Sequence, residues 1–155
     1  MGAHSPAEEV FQHLGGKWDV VRHFEGSYRG VFSGEATLIH RREDTATYHY
    51  EESGELVDGA GHAFAARQRY RYRLSGDGLQ VLKCEGSEWE LMHKLDFSRE
   101  GRLALAEHVH LCGEDHYAVR YRVDLEGGWE LDYEVRGPKK DYRIRSVYTR
   151  ADLSD

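Results

Sequence analysis

The residues able to do chemistry recur at alternate positions of short apolar runs. His93 and His110, with Asp115 and Tyr117 just downstream, supply the parts of an acid–base centre. An imidazole that titrates near neutral pH can move a proton, a carboxylate can orient the ring, and a phenol can hold developing negative charge. Arg22 offers a guanidinium fork for a carboxylate or phosphate. Tyr48, Tyr50, Tyr70, Tyr121, Tyr133 and Tyr148 can stack on an aromatic ring or donate to a carbonyl, and Glu52, Gln68 and Cys112 stand in the same alternating sets. Cys112 beside histidine has the makings of a nucleophile, although a buried thiol ordinarily behaves as a small hydrophobe.

Three functional readings follow. The first is a non-catalytic binder of a small polar aromatic or anionic metabolite in a cavity lined by tyrosine, histidine and arginine. The second is a cofactor-free isomerase or lyase in which His93, His110, Asp115 and Tyr117 carry the acid–base work. The third is a metal or haem site. His108-x-His110-x-Cys112 puts two imidazoles and a thiolate on one strand face, about 6–7 Å apart per pair of residues. His93 can add a donor from a neighbouring strand, and zinc, copper or haem iron accept such ligands. The spacing matches no specific metal signature, and the first two readings need no cofactor.

All of these groups need elements to aim them. A short helix is expected first: Ser5 caps it, Pro6 suits its first position, Glu8 and Glu9 favour its positive end, and Gly15-Gly16 stops it. After Gly16 the chain alternates with the period of strands. The runs are Trp18–Phe24, Gly30–His40, Tyr48–Glu52, Phe64–Leu74, Leu79–Lys83, Trp89–Phe97, Arg102–Cys112, Tyr117–Leu125, Trp129–Val135 and Tyr142–Arg150. In the sixth, Trp89, Leu91, His93, Leu95 and Phe97 share one face. The links are short and rich in glycine, which predicts antiparallel hairpins in chain order. An all-β, antiparallel up-and-down barrel of about eight to ten strands is the economical way to remove the sheet edges, and one domain over residues 1–155 is expected. Nine of the ten tyrosines fall in the inward phase. A filled hydrocarbon core would not need their hydroxyls, so a cavity is expected.

The run Arg102–Cys112 has two readings. Hydrophobicity puts Leu103, Leu105, Val109 and Leu111 inside. A two-residue turn at Gly113-Glu114 instead pairs Cys112 with Asp115 and turns His108, His110 and Cys112 inward. The second is preferred; a β-bulge near the turn would reverse it. Outward leucines then need cover, from the N-terminal helix or from a second subunit in a homodimer. The arginines at 67, 69, 71 and 73 read as an outer stripe balanced by acids on neighbouring strands.

Composition removes other classes. The chain has 155 residues and a formal net charge of −7, with no basic block to neutralise a nucleic-acid backbone. No apolar run approaches the roughly 20 residues of a membrane helix. The opening MGAHSPAEEV lacks the cationic and apolar regions of a signal peptide. Two cysteines make no disulfide framework. A reduced, cytoplasmic setting is expected, with a small molecule as partner and neither nucleic acid nor membrane.

Gly16-Lys17-Trp18 after a short helix resembles the Gly-x-Trp opening of lipocalins and related calycins, and Arg150 stands where those barrels carry an arginine over the tryptophan. Met92–Phe97, His110–Tyr117 and Gly137–Tyr142 resemble segments of an uncharacterised family of small bacterial and fungal lipocalin-like proteins. The resemblance spans nearly the whole chain. It implies the barrel, and a structural role for Trp18 and Arg150 at its base. It implies no reaction, and the polar interior departs from that of a lipid carrier.

Overall fold

The computed structural model describes residues 4–76 and 78–151. Helix α1 spans Pro6–Leu14, and Ser5 and Glu8 close a reciprocal capping box at its start, each backbone N–H donating to the other's side chain at 3.2 Å. Eleven strands follow: β1 Gly16–Gly26, β2 Gly30–Arg41, β3 Asp44–Asp58, β4 Ala63–Ser75, β5 Gly78–Glu85, β6 Glu88–Leu95, β7 Ser98–Glu100, β8 Leu103–Cys112, β9 Asp115–Asp124, β10 Trp129–Arg136 and β11 Asp141–Arg150. The sheet order is β6-β5-β4-β3-β2-β1-β11-β10-β9-β8-β7, antiparallel throughout. Every link between neighbours is a hairpin except the β1–β11 pairing, which joins the two ends of the meander. The result is the expected up-and-down sheet curled towards a barrel.

The curl closes through the chain itself. β6 pairs with β5, and three residues later β7 pairs with β8. A single path bent at Asp96-Phe97 therefore belongs to both ends of the sheet. Beyond the β7 contact, β6 and β8 share no backbone ladder. The seam is bridged there by the His108 imidazole, whose Nδ1 lies 3.3 Å from both the N–H and the carbonyl oxygen of Lys94.

Helix α1 plugs the base. Val10, Phe11 and Leu14 pack into a core that includes Trp18, Leu38, Leu79, Leu95, Val123 and Trp129. Phe11 stacks on Tyr48 with centroids 4.1 Å apart. Trp18 Nε1 donates to the Leu14 carbonyl at 2.8 Å. Arg150 lies 3.7 Å over the Trp18 ring and donates to the carbonyls of Gly15 at 2.7 Å and His13 at 2.9 Å. One guanidinium thus joins the last strand, the first strand and the open carbonyl end of the helix. At the waist, Gly34 and Gly54 face each other across β2 and β3, and a Cβ on either would come within 2.9 Å of the Phe32 ring. A side chain at either position would also collide with the facing backbone, so both positions require glycine.

Two expectations about facing are corrected. β6 carries a bulge: Val81 pairs with His93 but Leu82 pairs with Leu91, so Met92 is an extra residue. The phase inverts there. His93 and Leu95 point in, but Trp89 lies outside beneath Arg71, 4.2 Å away, and Leu91 is 53% exposed. Helix α1, engaged at the base, does not cover the outward apolar residues of β8, and Val109 and Leu111 are both 61% exposed. The two-residue turn in β8–β9 is as expected, with Cys112 opposite Asp115 and Gly113 at φ 63°. Ala104 and Ala106 are buried and His108 half-buried on the inner face.

Candidate functional site

The interior has two polar centres. The first lies between β1, β3 and β11. Arg22 and Glu52 form a bidentate ion pair, both bonds 2.8 Å, with residues only 9% and 4% exposed. Arg22 Nε donates to Ser146 Oγ at 2.7 Å and Nη2 to the Tyr148 hydroxyl at 3.3 Å. Tyr50 donates to Glu52 Oε1 at 2.5 Å, so in the 2.7 Å contact between Tyr50 and Tyr148 the proton comes from Tyr148. Register explains the assembly: Arg22 stands opposite Ser146 on β11 and Val20 opposite Tyr148, while Glu52 lies two strands away across Ala36. Four of the five guanidinium N–H groups are taken. Glu52 and burial between them decide the charge state: the carboxylate holds the guanidinium protonated against the cost of desolvation. Glu52 thus occupies the fork that the sequence offered to a ligand, while Arg22 still lines the chamber described below.

The second centre is His93, 4% exposed on β6. Its Nδ1 lies 2.9 Å from the Tyr121 hydroxyl, and the rings of Tyr121, His108 and Tyr133 stand 5.8, 5.8 and 6.0 Å away. Its Nε2 is buried with no hydrogen-bond partner. Burial, reinforced by His108, pushes the imidazole pKa down to about 3, so the ring is neutral near pH 7. Burial also raises Tyr50, Tyr72, Tyr121, Tyr133 and Tyr148 above the ordinary phenol value, which keeps them as donors.

His93 separates two spaces. A chamber of about 230 Å³ lies on one side, walled by Tyr70, Tyr72, Tyr121, Tyr133 and Tyr148 with Phe24, Leu131 and Ile144. A larger recess of about 440 Å³ lies on the other, bounded by His108, His110, Cys112, Tyr117 and Lys83. Met92, His93 and Tyr133 belong to both walls.

The remaining expected site residues divide by depth. Tyr48 is buried at the base against Phe11 and His40, away from both spaces. Gln68 is exposed at the rim, where its side chain accepts a short hydrogen bond from Tyr70. His110 and Cys112 have the inward phase but stand exposed where β8 leaves the barrel. Tyr117, 6.1 Å from His110 between ring centroids, accepts a 2.9 Å hydrogen bond from Lys140. Asp115 lies 3.7 Å from Lys140 and makes no hydrogen bond to an imidazole among the described residues. The quartet His93, His110, Asp115 and Tyr117 is therefore spread from interior to rim. Among the described residues no group of three or more His, Cys, Asp or Glu side chains is arranged to hold a metal ion. Tyr72, Met92 and Ser146, with the apolar Phe24, Leu131 and Ile144, also line the chamber without having been singled out from the sequence. Tyr72 and Ser146 had the right phase; Met92 enters only through the bulge.

The fold is shared with proteins of very different sequence. Rv2717c from M. tuberculosis superimposes with a TM-score of 0.67 at 15% identity, covering 97% of this chain and 100% of that one. The S-type phycobiliprotein lyase CPES from Guillardia theta gives 0.65 at 9% identity, covering 95% and 93%. At these identities the likeness is one of fold. No curated protein matches the sequence. The model of one family does match, over residues 14–150, from the end of the helix to the arginine that seals the base: the chain belongs to DUF6314, a family of unknown function.

Proposed function

We propose that the protein binds a small, flat aromatic molecule bearing one polar group, seated in the tyrosine-walled chamber and hydrogen-bonded to His93. The observation that carries this reading is the orphaned His93 Nε2. A buried polar atom without a partner costs about 1–3 kcal/mol, and a ligand that supplies the partner recovers it. The volume, about 230 Å³, lies below the roughly 300–1,000 Å³ of drug-sized sites and suits one or two rings. The walls supply ring faces and phenol donors but no free charge, since Arg22 is neutralised by Glu52. This favours an uncharged or weakly polar ligand over an anion. A ring neutral at pH 7 and a carboxylate held at the rim support binding over acid–base turnover.

The test is titration of the protein with 2-naphthol, followed by NMR of ¹⁵N-labelled imidazoles. Saturable binding with a shift of the His93 Nε2 resonance is expected. Naphthalene, which lacks the hydroxyl, and the His93→Phe variant should each bind about tenfold more weakly, the worth of one hydrogen bond. Equal affinity for naphthol and naphthalene, or an unmoved His93 signal at saturation, would remove His93 from the site.

A further inference from the structure

On the outer face, β4 outruns its neighbour. It pairs with β3 from Ala63 to Arg73, but with β5 only from Tyr70 onward. The edge of Ala63–Arg69 on the β5 side therefore has no ladder partner among the described residues, and alternate N–H and C=O groups there point into open space. Arg67, Arg69, Arg71 and Arg73 project from the outer face of the same strand, and none forms an ion pair with a carboxylate among the described residues. Their register neighbours on β3 are Ser53, Glu51, His49 and Thr47, so one carboxylate faces four guanidinium groups. The acids expected to balance this stripe are elsewhere, in a chain whose net charge is −7. Beside the free edge lies a groove of about 710 Å³ bounded by Arg67, Arg69, Tyr70, Lys83, Cys84 and Met92. Phe64, at the far end of the same edge, is 51% exposed.

We infer that this edge is a docking site for an extended acidic peptide segment of a partner protein, which adds as a strand along Ala63–Arg69 and sets carboxylates against Arg67 and Arg69. Same-face side chains repeat about every 6.8 Å in both strands, so alternate glutamates keep step with the arginine ladder. Strand addition supplies affinity through the backbone, and the ladder supplies selectivity. A single-stranded nucleic acid matches the charge but not the edge. It has no backbone donors and acceptors of strand spacing, and the ring it would stack on, Trp89, is already covered by Arg71.

The experiment is fluorescence anisotropy of the whole protein with a labelled Glu-Thr alternating peptide of about ten residues, long enough to cover one strand. Binding is expected, weakening about tenfold or more in the R67E/R69E variant, whose changes are at exposed positions, and weakening as salt rises. The same peptide N-methylated at alternate residues keeps its charge but cannot pair, and it should also lose about tenfold. Equal binding of the N-methylated peptide refutes strand addition. Tighter binding of an oligothymidylate, or no response to R67E/R69E, refutes the acidic-peptide assignment. No binding of the peptide at low salt overturns the inference altogether.

Discussion

Replacing Glu52 by glutamine isolates the largest electrostatic commitment in the interior. The change keeps shape and removes one charge. Arg22, 9% exposed, would then retain its positive charge without a counter-ion, because the Ser146 and Tyr148 hydroxyls supply dipoles only. Breaking a buried pair from one side costs about 3–5 kcal/mol, since the remaining charge stays desolvated. For a domain of this size each kcal/mol lowers Tm by about 2–4 °C, so E52Q should melt roughly 6–20 °C below the wild type. Urea titration at constant pH, read by circular dichroism, gives the free energy directly. The double variant R22M/E52L removes both charges and should recover much of the loss. A deficit below about 1 kcal/mol for E52Q, or a double variant no more stable than the single one, would refute the account of Arg22 as an internally neutralised strut.

Three further outcomes follow from the same geometry. His93 is neutral in the folded protein, with a pKa pushed down to about 3, whereas in the unfolded chain it titrates near about 6.5. Between those values the unfolded state binds the extra proton, so this contribution is intact above about pH 6.5 and falls by about 2 kcal/mol by pH 5; urea midpoints across that range should show the slope, and His93→Phe should remove it. Arg150→Lys keeps a charge but loses the planar contact with Trp18 and the fork to the Gly15 and His13 carbonyls, so a loss of about 1–3 kcal/mol is expected in the same assay; an unchanged midpoint would show the contact to be idle. Gly34→Ala places a methyl group against Phe32 and the facing strand, and should cost about 1–3 kcal/mol in thermal unfolding, as overpacking does; a neutral result would mean the two strands part freely.

Much of this molecule was legible in one dimension. The capping box, the glycine-marked turns and the period-two runs are local patterns, and local sterics and hydrogen bonding enforce them wherever they occur. They were enough for the helix, for strand order and for the inward phase of Arg22, Glu52 and most tyrosines. The two-residue turn likewise settled β8, against the pull of its leucines. What the pattern could not express was partnership. Whether Arg22 meets a ligand or Glu52 depends on three strands of register, and no spacing along the chain carries that distance. The bulge at Met92 depends on how β5 and β6 twist against each other, and it moved Trp89 outside and turned Glu90 towards the recess, opposite Lys83. Depth was equally hidden: His93 and His110 share a phase, yet one lies beneath the rim and the other beyond it, because β8 rises above the closed part of the wall. Alternation sorts side chains into two faces; only the curvature and closure of the sheet decide which of the inner ones are shut away from water, and with whom.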